Sequence, residues 1–222
     1  MQKVSTGQPQ SFWHSRRSFI YSLALVSVGG RVLAAEGSYG EHHPFIGRAA
    51  AAVTMNVWFD FQCPFCKLFW SNTIPKLKTN YVENGKLKII FSDYPFLGDD
   101  SQAAAMIGRE VWHSYPAAYF DWTNAMFNAQ DEENAGFGNA QSVLKLTMSL
   151  PKIDGAKFTD ELKKNLRKNL DEIMLDMNEA KAAGVTGTPA YMLGGQLFSG
   201  AASYEKVSAK VDSLLGPEHK PT

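Results

Sequence analysis

The chain has 222 residues, 45% of them hydrophobic and 20% charged, enough for one domain with an insertion and for a core that needs no disulfide staples. Formal net charge is zero, and the first 34 residues hold four of the 22 basic side chains and no acid; without them 18 basic side chains face 22 acidic ones, a net charge of −4 that argues against nucleic acid as a partner. Two cysteines, Cys63 and Cys66, are too few for a disulfide scaffold.

Residues 1–18 are polar and carry Arg16 and Arg17, and the apolar run Phe19–Val28 follows. That run has the length of a signal-peptide core and is too short for a bilayer, which takes about 20 residues. Val32-Leu33-Ala34-Ala35 supplies small residues for cleavage within 33–36, so residues 1–35 are expected to be an export signal. Ser15-Arg16-Arg17-Ser18-Phe19-Ile20 is also compatible with twin-arginine export.

The mature chain opens on an irregular lead-in over 36–52. Val53–Phe59 is rich in β-branched and aromatic residues and predicts a buried strand. The cysteines follow at once, then a helix over 64–83, a turn at Asn84-Gly85 and a second strand over 86–91. This order predicts a parallel pair with a crossover helix.

Residues 99–183 read as helices throughout. Ser101 is expected to cap the first, Pro116 to start another, and 139–149 to form a third. From Asp160 to Ala183, apolar Leu162, Leu166, Leu170, Ile173, Met174 and Met177 recur at spacings that mark an amphipathic helix ended by Gly184. Gly194-Gly195 between two short apolar runs predicts a hairpin. Ser203 is expected to cap a last helix with Leu214 and Leu215 inward, stopped by Gly216 and Pro217.

Chemistry concentrates in Cys63-Pro64-Phe65-Cys66. Cys63 stands where a strand gives way to a helix, whose unpaired N–H groups and dipole favour a negative sulfur. Pro64 suits the first helical position. Cys66, one turn on, can close a disulfide with Cys63, a two-electron switch that needs no bound cofactor. Cys63 is expected to be the exposed, acidic thiol and Cys66 the buried one. A zinc site needs about four ligands, and His14, His42, His43, His113 and His219 have no finger-like spacing. Copper(I) binding by the two thiolates is the alternative, as is a redox-linked chaperone. Gly187-Thr188-Pro189 leads into a late strand. It reads either as an edge marker or as a cis-proline loop facing the cysteines, with the backbone before Pro189 open to an extended substrate. Asp60 reads as a proton acceptor for Cys66 or as an organiser of its loop. Phe65, Phe96, Tyr191 and Met192 are candidates for a peptide groove or for core, and His113 for a satisfied helix residue.

The ordered strings Val53-Thr54, Phe59-Asp60-Phe61-Gln62-Cys63-Pro64-Phe65-Cys66, Asp93-Tyr94-Pro95, Ser101-Gln102-Ala103-Ala104, Phe127-Asn128-Ala129-Gln130 and Gly184-Val185-Thr186-Gly187-Thr188-Pro189 resemble the DsbA-like branch of the thioredoxin superfamily, over most of residues 45–215. The resemblance implies an α/β thioredoxin fold over 36–98 and 184–222 with an inserted all-helical subdomain over 99–183. It implies a thiol–disulfide oxidoreductase of the periplasm or cell envelope, acting on exported proteins with cysteines and served by a membrane or envelope redox partner. It makes Cys63 the attacking cysteine, Cys66 its resolving partner and Pro189 the cis-proline, with Pro64, Phe65 and Thr188 against the substrate. The dipeptide Pro64-Phe65 stands where the namesake has Pro-His, and Val57 stands where it has a buried acid.

Overall fold

The computed structural model describes residues 42–132 and 137–217. The expected export signal, with its cleavage region at 33–36, lies outside the described residues.

Five strands form one sheet: β1 (Phe45–Ile46), β2 (Val53–Phe59), β3 (Leu87–Asp93), β4 (Ala190–Leu193) and β5 (Gln196–Ser199). Their order is β1-β3-β2-β4-β5. β2 and β3 pair in parallel from Val53 opposite Leu87 to Phe59 opposite Asp93, as the crossover predicted. β4 runs antiparallel to β2 and to β5. Gly194 and Gly195 turn the β4–β5 hairpin with φ of +59° and +74°, a left-handed pair that favours glycine. β1 is too short to stand out in the lead-in.

Alternation along β2 divides the core. Val53, Met55, Val57 and Phe59 face the larger cluster, which also holds Cys63, Cys66 and Phe69. Trp58 faces the other side, against Tyr94, Ala180, Val185 and Ala190. The crossover is broken into α1 (Pro64–Asn72), α2 (Ile74–Leu77) and a π-helical turn over Lys78–Val82.

Among the described residues, all regular structure between β3 and β4 is helical: α3 (Asp99–Ser114), a 3₁₀ turn over Pro116–Ala118, α4 (Tyr119–Ala129), α5 (Ala140–Ser149) and α6 (Gly155–Ala182). Helix α7 (Tyr204–Leu215) follows β5 and is the last described helix. Three readings change. Helix α3 begins at Asp99, so Ser101 lies inside its first turn, and its hydroxyl donates to Asp60 instead of capping. Helix α6 buries Phe158, Leu162, Ile173 and Ala180, while Leu166, Leu170 and Met174 are exposed. In α7 Val207 and Val211 are buried and Leu215 packs against the core as expected, while Leu214 is exposed on the face over Gly194. Ser203 stands at the N-cap of α7 without a capping side-chain bond. His113 is satisfied as expected, 2.6 Å from Glu172.

Candidate active site

Cys63 is the N-cap residue of α1, with extended backbone (φ −77°, ψ 118°), and Pro64 fills the first helical position. No side chain caps this helix, and of its opening N–H groups those of Phe65 and Cys66 serve the sulfur, the latter shared with the Cys63 carbonyl. The Cys63 thiol donates to the Thr188 carbonyl at 3.2 Å. The Thr188–Pro189 bond is cis, as the sequence led us to expect. Cys63, Cys66, Thr188 and Pro189 therefore come together from opposite ends of the chain.

Cys63 is not the exposed residue expected of it. It is 4% exposed and Cys66 2%, because the Thr188–Pro189 loop folds over the start of α1. What separates the two sulfurs is their surroundings. Cys66 lines a small apolar cavity with Val57, Phe59, Phe69, Phe127 and Pro189. Burial pushes its thiol well above the ordinary range, and the neighbouring Cys63 adds to this. Cys63 is pulled down to about 6. The hydrogen bond from Cys66 does most, burial opposes it, and Thr188 with the N–H groups of Cys66 and Phe65 completes the set. The Thr188 hydroxyl itself is buried and meets no acceptor at hydrogen-bonding geometry.

Asp60 takes the loop-organising role. Its carboxylate accepts from Gln62 N–H (2.8 Å), Ser101 hydroxyl (2.7 Å), Phe96 N–H (3.0 Å) and Leu97 N–H (3.2 Å). Burial pushes this carboxyl up, and those bonds only partly offset it. Both oxygens are thus engaged by other groups, and Asp60 meets the cysteines through its backbone: its N–H points at Cys66 Sγ at 3.5 Å and its carbonyl accepts from Cys63 N–H. Phe65 and Phe96 are exposed beside the site, 59% and 43% respectively, and remain candidates for substrate contact. Tyr191 is core, stacked between Phe69 and Phe198, and Met192 lies on the opposite face of the sheet. Among the described residues, no group of three or more His, Cys, Asp or Glu side chains is placed to hold a metal ion.

Sequence reasoning missed Gln62, Lys67 and Gln130 as parts of the site. Gln130 stood only inside a family string, and nothing local reveals that a residue after α4 reaches the cysteine turn.

The thioredoxin family model matches residues 40–213. The thiol-disulfide exchange protein alpha-DsbA2 from Wolbachia pipientis is 30% identical, with a TM-score of 0.67 over 78% of this chain and 87% of that one. The chain belongs to the thioredoxin family, in its DsbA-like branch. Disulfide bond formation protein D from Bacillus subtilis is 25% identical to this DsbA-like chain over 172 residues, 78% of this chain and 77% of that protein. The crystal structure of oxidised BdbD from the same organism shares the fold, with 23% identity and a TM-score of 0.71 over 79% of this chain and 94% of that one. The DsbA-like chain is a protein disulfide oxidoreductase, and its Cys63-Pro64-Phe65-Cys66 turn has the spacing of that chemistry.

The electrostatics make a direct prediction for the reduced protein. Iodoacetamide labelling is expected to rise with a midpoint near pH 6 and to map to Cys63. Preferential labelling of Cys66 would refute the assignment.

Proposed function

We propose that this oxidoreductase works as a dithiol oxidase on exported proteins in the periplasm or cell envelope. In this reading helices α3–α6 are the subdomain inserted over 99–183. Cys63 is the attacked sulfur, Cys66 the resolving one, and Pro189 with Thr188 forms the wall against which an extended substrate lies; Pro64 and Phe65 flank it.

The observation that carries the direction is the placement of the two sulfurs, Cys63 at the uncapped start of α1 and Cys66 in an apolar cavity, a setting that lowers the first thiol to about 6 and pushes the second up. A stabilised thiolate stabilises the reduced pair and makes the disulfide a better oxidant. A substrate thiolate attacks Cys63 of the Cys63–Cys66 disulfide, and Cys66 leaves and takes up a proton. The second substrate thiolate then attacks its own sulfur in the mixed disulfide, and Cys63 leaves as thiolate. Two electrons pass from substrate to protein, and an envelope redox partner must remove them.

The test is oxidative refolding of a reduced cysteine-bearing protein together with a glutathione-buffered titration. The couple is expected to lie above about −230 mV; a value at or below about −270 mV, where thioredoxin sits, would make the protein a reductant instead. Cys63→Ser is expected to abolish exchange, and Cys66→Ser to accumulate the mixed disulfide.

Phe65 tunes the same quantity. Its backbone N–H serves the Cys63 sulfur but its side chain is apolar and has no donor, whereas a histidine side chain there offers a hydrogen bond or partial positive charge. Phe65→His is expected to raise the potential by roughly 30 mV for each 1.4 kcal/mol gained by the reduced form. An unchanged or lower potential would mean that other groups around Cys63 dominate.

A further inference from the structure

Gln130 is the C-cap of helix α4 with extended backbone (φ −60°, ψ 122°), and its side chain reaches the cysteine turn. The residue is buried. Its amide nitrogen donates to the Phe61 carbonyl at 2.7 Å and to the Cys63 carbonyl at 3.2 Å. One NH₂ group thus uses both hydrogens on two carbonyls that bracket Gln62. The same stretch is tied on its other sides. Lys67, in α1, donates to the Gln130 carbonyl at 3.1 Å, and the Gln62 side chain donates to the Phe137 carbonyl at 3.0 Å. A Cβ on Gly138 would sit 1.7 Å from the Gln62 side-chain nitrogen, so that approach requires glycine.

The Cys63 carbonyl belongs to the peptide unit that joins Cys63 to Pro64, and it also accepts from Cys66 N–H and Lys67 N–H at the opening of α1. Its orientation fixes where the first N–H groups of the helix point. We infer that Gln130 is a positioning residue of the redox site: its single amide lets the helical layer hold the peptide units of Phe61 and Cys63, and with them the N–H groups of Phe65 and Cys66 that face the Cys63 sulfur. The two hydrogens also satisfy carbonyls in the turn that carries the sulfur. Without them the Cys63 thiolate loses stabilisation, and the reduced pair loses it too. The helical layer is then coupled to the redox couple and is more than a cover over it.

This inference rests on the oxidoreductase reading above, and the experiment separates the two. Gln130→Met keeps the length and volume of the side chain and removes the donors. Gln130→Asn keeps the amide and withdraws its reach by one methylene. Both are compared with the natural protein by thiolate absorbance at 240 nm against pH and by equilibration in glutathione buffers, with circular dichroism to show that each is folded. Both variants are expected to raise the thiolate midpoint and to lower the equilibrium constant for substrate oxidation about threefold to tenfold, or roughly 15–30 mV. A folded Gln130→Met or Gln130→Asn protein with the natural midpoint and constant would overturn the inference, since a packing role alone moves neither. Failure of the natural protein itself to exchange with glutathione would overturn the oxidoreductase reading instead.

Discussion

Replacing Arg109 with alanine is expected to cost about 3–5 kcal/mol of folding stability at pH 7. Arg109 is fully buried on α3, 1% exposed. Its guanidinium donates to Asp93 through Nε (3.1 Å) and Nη2 (2.6 Å), to Asp176 on α6 through Nη2, and to the His42 carbonyl through Nη1 (3.0 Å). Asp176 also pairs with His43 at 2.8 Å and accepts from the Asp93 N–H at 2.8 Å. One cation therefore joins the end of β3, two helices and the segment before β1. Burial pushes Asp93 up to about 6, against the pull of Arg109. Burial also pushes Asp176 up, but His43 and Arg109 outweigh it and hold that carboxyl below its ordinary value. Removing the guanidinium leaves two buried carboxylates facing each other, a far larger penalty than the net worth of the ion pairs.

The sign of the pH dependence follows. In the variant the folded-state values of both carboxyls rise above their unfolded ones, so their contribution is present at low pH and lost as pH climbs through the raised values. The deficit of Arg109→Ala is expected to be smaller at pH 5 than at pH 7, with Arg109→Lys intermediate. Guanidinium chloride unfolding at both pH values measures it. A deficit below about 1 kcal/mol at pH 7, or one that grows on acidification, would show that water reaches this cluster and screens it.

None of this cluster was legible in the sequence, and the reason is general. Periodicity reports where apolar side chains recur, and α6 carries two such stripes. The inner one runs through Phe158, Leu162, Ile173 and Ala180 and includes the polar Asn169 and Asp176; the outer one, Leu166, Leu170 and Met174, is the cleaner apolar series. Asp176 can face inward only because Arg109 arrives from another helix, and spacing within α6 carries no trace of that. The same holds for Asn169, which donates to the buried Glu110 on α3 at 2.9 Å. By contrast β2, β3 and the cysteine turn were legible because their signals are local: a β-branched run, an alternation, a proline at a helix start. The cis-proline contact was legible in part, since the two motifs were each visible and only their meeting was inferred from likeness. The burial of Cys63 was not, because it depends on how closely the Thr188 carbonyl approaches, a tertiary distance of 3.2 Å across 125 residues of chain.

The reduced protein is expected to gain stability over the oxidised one as pH rises from 6 to about 9, and to lose part of it above. The Cys63 thiol is lowered from 9.0 to about 6 in the folded reduced state. A depressed value contributes stability that is fully present above the unfolded value and is lost as pH falls through the folded one. The contribution of the thiolate therefore grows between about pH 6 and pH 9 and is almost nothing below pH 6. Cys66 works in the opposite sense. Burial raises its thiol well above the ordinary value, so its contribution is present below the unfolded value and is lost at higher pH. The two therefore leave a maximum between about pH 8 and 9. In the disulfide neither sulfur titrates, so the oxidised protein lacks the entire profile and serves as the internal reference. Thermal or guanidinium chloride unfolding of both redox forms at half-unit steps from pH 5 to 10 gives the difference curve. A flat difference between pH 6 and 8 would mean that the Cys63 thiolate is not stabilised by the fold. The oxidising direction proposed for the protein would then lose its support, since the same free energy that stabilises the reduced pair sets the potential of the couple.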